Sequence, residues 1–479
     1  MNPLARSLLT LVVCSVVLGS WSLGAERLHA AELTIATFRA DVTPPLGNGP
    51  CVGCMPKVTS VEHPLELKGL VLTSGLDTYV IAAIDFCGLC NSSDEAVRDA
   101  LAVAAGTTRE RVALQSLHQH SAPILDAEAT AVLYGPESEE LRAHQAFTEE
   151  IGRRAAEAIK AARNRARPVT LITASSARVD RFAANRRVPQ ADGSIAVRAS
   201  FTGDPAVRDA PEGLIDPFVR TVTFFGGTSF GGSSAPGETA PLAQCHYYAS
   251  HPQSFYGDGR VSWDTVGMAR SAVEGETGVF QVYFTGCGGN VTVGKYNTGT
   301  RASREALAQR LRAAMTESAT RATTHPDRRV DVRSLPNTAV EWKVAPIRFT
   351  QRNDGAFAEE TRRSALAPER PFSARLTAAM FTGFLDRLKA GYVAQATRLR
   401  IAEIDLVHLP GEPFVEFQLF AQEQAREGAF VCVAGYGECG VWYYGPDRIY
   451  TDRGGYEQTW SVTSPCEETV KTALLRLLK

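Results

Sequence analysis

The chain has almost no excess of either charge: 50 Lys and Arg stand against 52 Asp and Glu, a formal net charge of -2 over 479 residues. With no basic stripe either, it lacks the electrostatic footprint of a nucleic-acid binder, and that class is set aside. Beyond residue 31 it has no apolar run long enough to span a bilayer. It also lacks internal repeats and any composition shift that would mark a linker. The Gly/Ser/Pro stretch GGTSFGGSSAPGETAP (226–241) reads as a surface loop without chemistry. These absences leave one large globular domain, and 44% hydrophobic and 21% charged residues are ordinary for one.

What is present begins with a leader. Arg6 precedes an apolar core from Leu8 to Leu23, followed by small residues at Ala25, Ala30 and Ala31. This is the layout of a secretory signal peptide cleaved near Ala30/Ala31, giving an exported protein, secreted or periplasmic, over residues 32–479. Of the ten cysteines, Cys14 lies in the leader. The others include two CxxC pairs, Cys51/Cys54 and Cys87/Cys90. Disulfides or free buried thiols are expected ahead of a four-thiolate zinc site, because the pairs lie further apart than ribbon motifs place them.

Along the chain, strands alternate with helices. GLVLTSGLDTYVIAAIDF is a hairpin, and SSDEAVRDALAVAAG is a helix with Ser at its start and Gly106 at its stop. In RVALQSLHQH, Val112, Leu114, Ser116, His118 and His120 fall on one strand face by period two. HQAFTEEIGRRAAEAIKAARNRA is a long amphipathic helix. Ser464, Pro465 and Glu467 form a capping box ahead of the last one. The fold class expected is α/β (mixed α+β), a β-sheet core flanked by helices with its site at strand ends.

Three candidate metal ligands close apolar runs: His118 in LQSLHQHSAP, His251 in YYASHPQS and Glu412 in HLPGEPF. Zinc takes imidazole nitrogens and carboxylate oxygens, and a catalytic site keeps a position open for water. The glycine turn TGCGGNVTVGKY offers N–H groups and the Thr292 hydroxyl to an oxyanion, and GYGECGVWYYGPDRIYTDRGGYE supplies phenols. Asp85 and Asp264 read in two ways, as carboxylates that orient ligand histidines through their second ring nitrogens or as strand-end carboxylates in turns.

Taken together and in order, ADVTPPLG, IDFCGLC, SLHQHSAP, ASHPQS, GCGGNVT, LPGEPFVEFQ and GYGECGVWYYG…GGYE resemble the catalytic domain of the neutral/alkaline (non-lysosomal) ceramidases. The resemblance spans nearly the whole chain after the leader. It implies a zinc amidohydrolase that cleaves the N-acyl bond of ceramide with metal-activated water. It implies a single zinc ion held by His118, His251, Glu412 and Tyr443, with Tyr444 as the alternative when counting back from GGYE. His120 and Tyr456 fall near the scissile carbonyl, Arg186 on the substrate side, and Thr292 where the family has a serine. This chain departs from the family in that threonine, in Gln119 between the two histidines, and in ending soon after GGYE, where the family carries a C-terminal β-sandwich domain. The partner expected is a small-molecule or lipid N-acyl substrate, with transient membrane-surface contact and no obligate protein partner. The rival readings are a zinc hydrolase of another N-acyl or ester substrate on the same scaffold, a binding protein with a decayed site, and a thiol–disulfide protein.

Overall fold

The computed structural model describes residues 33–47, 57–227, 239–336 and 339–479. The leader, Cys51, Cys54 and most of the Gly/Ser/Pro stretch lie outside the described residues.

Three larger sheets carry the architecture, a mixed α+β arrangement with helices against their outer faces. The first is built on the expected hairpin, Glu66–Ser74 paired with Asp77–Ile84 around Gly75 and Leu76. Gly75 takes φ 60, the positive value a tight hairpin turn demands. Leu33–Asp41 flanks this hairpin antiparallel on one side, and Val112–Ser116 flanks it parallel on the other. The second sheet sets Leu171–Arg178, Phe218–Gly227 and Thr239–Tyr248 antiparallel, then adds Phe280–Thr285 parallel. The third orders Val340–Ile347, Ala394–Ile401 and Ile404–Pro410 antiparallel and Phe430–Gly437 parallel.

Each large sheet thus contains one parallel pair, at an edge. These edge strands pack on one another, and their residues, including Ile81, Ala113, Cys245, Val282, Leu406 and Cys432, share one buried cluster. The carboxyl ends of all three pairs open towards one place. In open α/β sheets such ends are where loops can converge without burying unpaired backbone.

The helix Glu139–Arg163 covers the first sheet. Ser138 caps it by accepting from the Leu141 N–H, and Leu141, Thr148, Ile151, Ala155 and Ile159 form its buried stripe. Asn91–Ala105 packs beside it and ends at Gly106 in the left-handed conformation, as expected. Its start differs: the helix begins at Asn91, after Cys90, and no side chain caps it.

Two further expectations are corrected. The capping box does not form, because Ser464 Oγ instead donates to the Gln351 carbonyl and the last helix begins at Glu467. A tertiary contact with the loop after Val340–Ile347 competes for Ser464. The period-two face also stops early. The strand ends at Ser116, and His118 has φ 68, a left-handed conformation that no strand residue adopts.

Candidate active site

His118 follows the first sheet's parallel pair, His251 the second's and Glu412 the third's. Their side chains meet although 133 and 161 residues separate the contacting loops. Glu412 Oε2 lies 3.2 Å from His118 Nε2 and 3.0 Å from His251 Nε2. Tyr443 Oη lies 3.0 Å from the same His251 nitrogen. Tyr444 points elsewhere: its hydroxyl donates to the Pro410 carbonyl at 2.7 Å.

Both imidazoles are oriented from behind by backbone. Cys87 O accepts from His118 Nδ1 and Gly288 O from His251 Nδ1, each at 2.6 Å. A carbonyl accepts only, so Nδ1 carries the proton in each ring and Nε2 presents its lone pair. Of the two readings of Asp85 and Asp264, the orienting one fails, since neither contacts a ligand histidine. Asp85 is paired with Arg270, and Asp264 with Ser254 and the Thr265 N–H. Backbone carbonyls already sit at the required positions, so no carboxylate is needed there.

Electrostatics reinforce the arrangement. Burial would raise the Glu412 carboxyl, but the two imidazoles outweigh it and hold it well below the ordinary carboxylate range. Burial, and next the Arg186 charge, push His251 down to about 3, so that ring stays neutral. Two imidazole nitrogens and a carboxylate oxygen therefore converge within 3.2 Å, a donor set that a cation fits. His118, His251 and Glu412 could hold a metal ion, and all three are buried. Cys87, His118 and His120 form a second such group, but His118 Nδ1 is already committed to the Cys87 carbonyl.

A cavity of about 450 Å³ opens above the group. Its polar side carries His120, Arg186, Gln253, Tyr443 and Tyr456. Its apolar side carries Ile124, Leu376, Met380, Trp442 and Trp460. Arg186 donates to Tyr443 Oη at 2.9 Å and to Gln253 Oε1 at 2.9 Å, and its guanidinium faces the Tyr456 ring. His120 Nε2 lies 3.4 Å from His118 Nε2. His118, His120, His251, Glu412, Tyr443, Arg186 and Tyr456 are thus brought together.

Thr292 is not brought to the cavity. It is fully buried in the short strand Val291–Thr292, bridged through its backbone to His251, and it does not line the wall. The glycine turn has no N–H spare for an oxyanion at Gly286, Cys287, Gly289 or Val291. These donate to Tyr248 O, Gln418 Oε1, Pro413 O and Gly288 O. The glycines instead permit close approach: a Cβ on Gly289 would stand 2.5 Å from Glu412 O.

Tyr436, Gln253, Trp442 and Trp460 were not singled out in the sequence. Tyr436 stacks on His118 with ring centroids 4.5 Å apart. The density of aromatics in GYGECGVWYYG was the available signal for Tyr436 and Trp442. Gln253 sits in ASHPQS beside a named ligand candidate. Cys90, Cys245, Cys287, Cys432, Cys439 and Cys466 are buried and unbridged, the second of the two outcomes expected for cysteines.

The fold itself, three sheets whose parallel edge pairs meet at one place, is found among solved structures. The sequence matches no family model and no curated protein. Solved structures do match. The neutral ceramidase from Pseudomonas aeruginosa aligns with TM-score 0.65 at 16% identity, over 94% of this chain and 74% of that one. A ceramidase complexed with C2 aligns equally well, with TM-score 0.65 at 16% identity, over 94% of this chain and 75% of that one. This chain has the neutral ceramidase fold.

Proposed function

We propose that the protein is an exported zinc amidohydrolase that cleaves the N-acyl bond of a ceramide-like lipid. The observation that carries this reading is the buried group of His118 Nε2, His251 Nε2, Glu412 and Tyr443 Oη at a cavity lined by both polar and apolar side chains. Two nitrogens and two oxygens are a donor set suited to zinc. Solved ceramidases on the same fold support the amide substrate.

Zinc held by these four residues supplies Lewis acidity to a carbonyl and to water. The chain's own residues do the rest. Arg186 and Tyr456 line the cavity and would supply N–H and O–H groups to the amide oxygen as it gathers negative charge. His120 takes a proton at the ring nitrogen facing the cavity and passes it to the leaving amine. Leu376, Met380, Trp442 and Trp460 bind the apolar chain and exclude water from the bond under attack. Thr292 contributes by holding His251 in place through the backbone rather than by touching substrate. Among the described residues no helix is long and apolar enough to cross a membrane.

The test is metal analysis with hydrolysis of a fluorogenic N-acyl sphingosine, comparing wild type and Glu412→Ala. One zinc per chain and N-acyl hydrolysis, both lost in Glu412→Ala, are expected. Activity on other N-acyl compounds or esters but none on ceramide would move the substrate while keeping the chemistry. A zinc-free, inactive wild type would overturn the proposal.

A further inference from the structure

Gln253 is 4% exposed, lines the cavity, and touches two of its polar groups at once. Its Oε1 accepts from Arg186 Nη2 at 2.9 Å. Its Nε2 lies 2.6 Å from His120 Nε2 and 3.1 Å from Nδ1. The carboxamide can be read one way only. A guanidinium has donors and no acceptor, so the amide oxygen must face Arg186 and the NH₂ must face His120. The amide N–H therefore donates into the imidazole and fixes which edge of the ring receives it.

The loop bearing Gln253 is itself held on both sides. Ser254 donates through its backbone N–H and its hydroxyl to Asp264, at 3.0 and 2.5 Å. Asn297 Nδ2 donates to the Ser254 carbonyl at 2.8 Å and to the Ser200 carbonyl at 2.7 Å. Asp264, buried with φ 49, thus finds its use here, behind the loop rather than behind a histidine. The result is a continuous chain of contacts, Tyr443 to Arg186 to Gln253 to His120, curving around the mouth of the metal-ligand group.

We infer that Gln253 is a positioning residue that sets the ring orientation of His120 and its spacing from Arg186 across the substrate amide. The inference rests on the amidohydrolase reading for its kinetic consequence and on geometry alone for its structural one. A ring free to rotate away from the cavity leaves the proton donor displaced by an ångström or more, and a displacement of that size lowers rates by about 100-fold.

Gln253→Met keeps the length and bulk of the side chain and removes both hydrogen bonds. It is expected to lower kcat about 10–100-fold, with KM within about threefold, the melting temperature unchanged and zinc content at the wild-type level. Gln253→Glu keeps the acceptor for Arg186 but offers His120 no N–H. It is expected to restore little of the rate and to alter the pH profile of kcat. Histidine ¹⁵N spectra of ring-labelled protein provide the readout without substrate: the His120 resonances, assigned through His120→Asn, should move in Gln253→Met while those of His246 stay fixed. Unmoved His120 resonances, or wild-type kcat in Gln253→Met, would overturn the inference. Parallel loss of kcat, zinc and melting temperature would also overturn it, by showing a merely structural role. A wild type without N-acyl hydrolysis would overturn the proposed function, and the spectra would still decide Gln253.

Discussion

Tyr443 and Tyr444 are adjacent, both buried and chemically identical, yet their hydroxyls end in different worlds. Tyr443 reaches His251 and Arg186, while Tyr444 donates to the Pro410 carbonyl. Phenylalanine at each therefore separates ligation from packing. Tyr443→Phe should reduce zinc retention and activity with little change in melting temperature. Tyr444→Phe should retain zinc but lose roughly 1–3 kcal/mol of stability, because it strands a buried acceptor; urea denaturation followed by metal analysis distinguishes them. His120→Ala belongs to the same scale. It should keep its zinc and lower kcat about 10²–10⁴-fold, the range for removing an acid–base group, measured at saturating substrate. At this scale the sequence was most legible where a side chain has one chemical use. Two histidines, a glutamate and a tyrosine were named there, and the structure draws all four to one point. It could not show what holds the two imidazoles from behind, since a backbone carbonyl leaves no mark in a sequence and Asp85 and Asp264 looked equally suitable.

Among the elements, the glycine turn after Phe280–Thr285 and the helix Ala127–Tyr134 lend themselves to test. Gly289→Ala would force a methyl against the Glu412 and Pro413 carbonyls, at 2.5 and 2.9 Å in the present backbone. The Glu412 segment must move to accept it, so activity should fall by about 100-fold and zinc binding should weaken, read by competition with a chromophoric chelator. The helix is capped by Asp126, which accepts from the Ala129 N–H at 2.9 Å and is wholly buried. Burial pushes its carboxyl up to about 7, against roughly 3.9 in an unfolded chain. The native state then holds a proton that the unfolded state has released, so this contribution to stability is complete below about pH 4 and is lost as pH rises through about 7. Asp126→Asn keeps a capping oxygen and removes the titration. Its stability from pH 5 to 8 should decline less steeply than that of wild type, by an amount on the order of a few kcal/mol in denaturant melts at each pH. The turn was recognised in the sequence as a turn, but its purpose was assigned to N–H groups that the fold consumes. The capping box failed for a related reason: Ser464 had a better partner 113 residues away.

Over the whole molecule, the ligand group is a junction of three sheets. Each sheet contributes the loop after its parallel edge pair, and Glu412 and Tyr443, both following strands of the third sheet, stand side by side in the short parallel strands Glu412–Pro413 and Tyr443–Tyr444. A cation bound there ties the sheets to one another, and a ligand that binds only the native state stabilises it by mass action. Dialysis against a chelator should therefore lower the melting temperature by several degrees, and added zinc should restore it, by scanning calorimetry. Glu412→Ala should show no such response. A wild type indifferent to chelator would separate the group from any stabilising role.

The sequence by itself determined the alternation of strands and helices, the tight turn at Gly75, the stop at Gly106 and the identity of the groups that can ligate or move protons. These follow from local conformational preference and side-chain chemistry, which act within a few residues. Only the tertiary structure decided that His118 leaves its strand in a left-handed turn, that Tyr443 faces inward, that Thr292 stands behind the cavity and that Gln253 joins His120 to Arg186. Each depends on atoms brought together by packing between sheets, over separations at which the sequence carries no spacing to read.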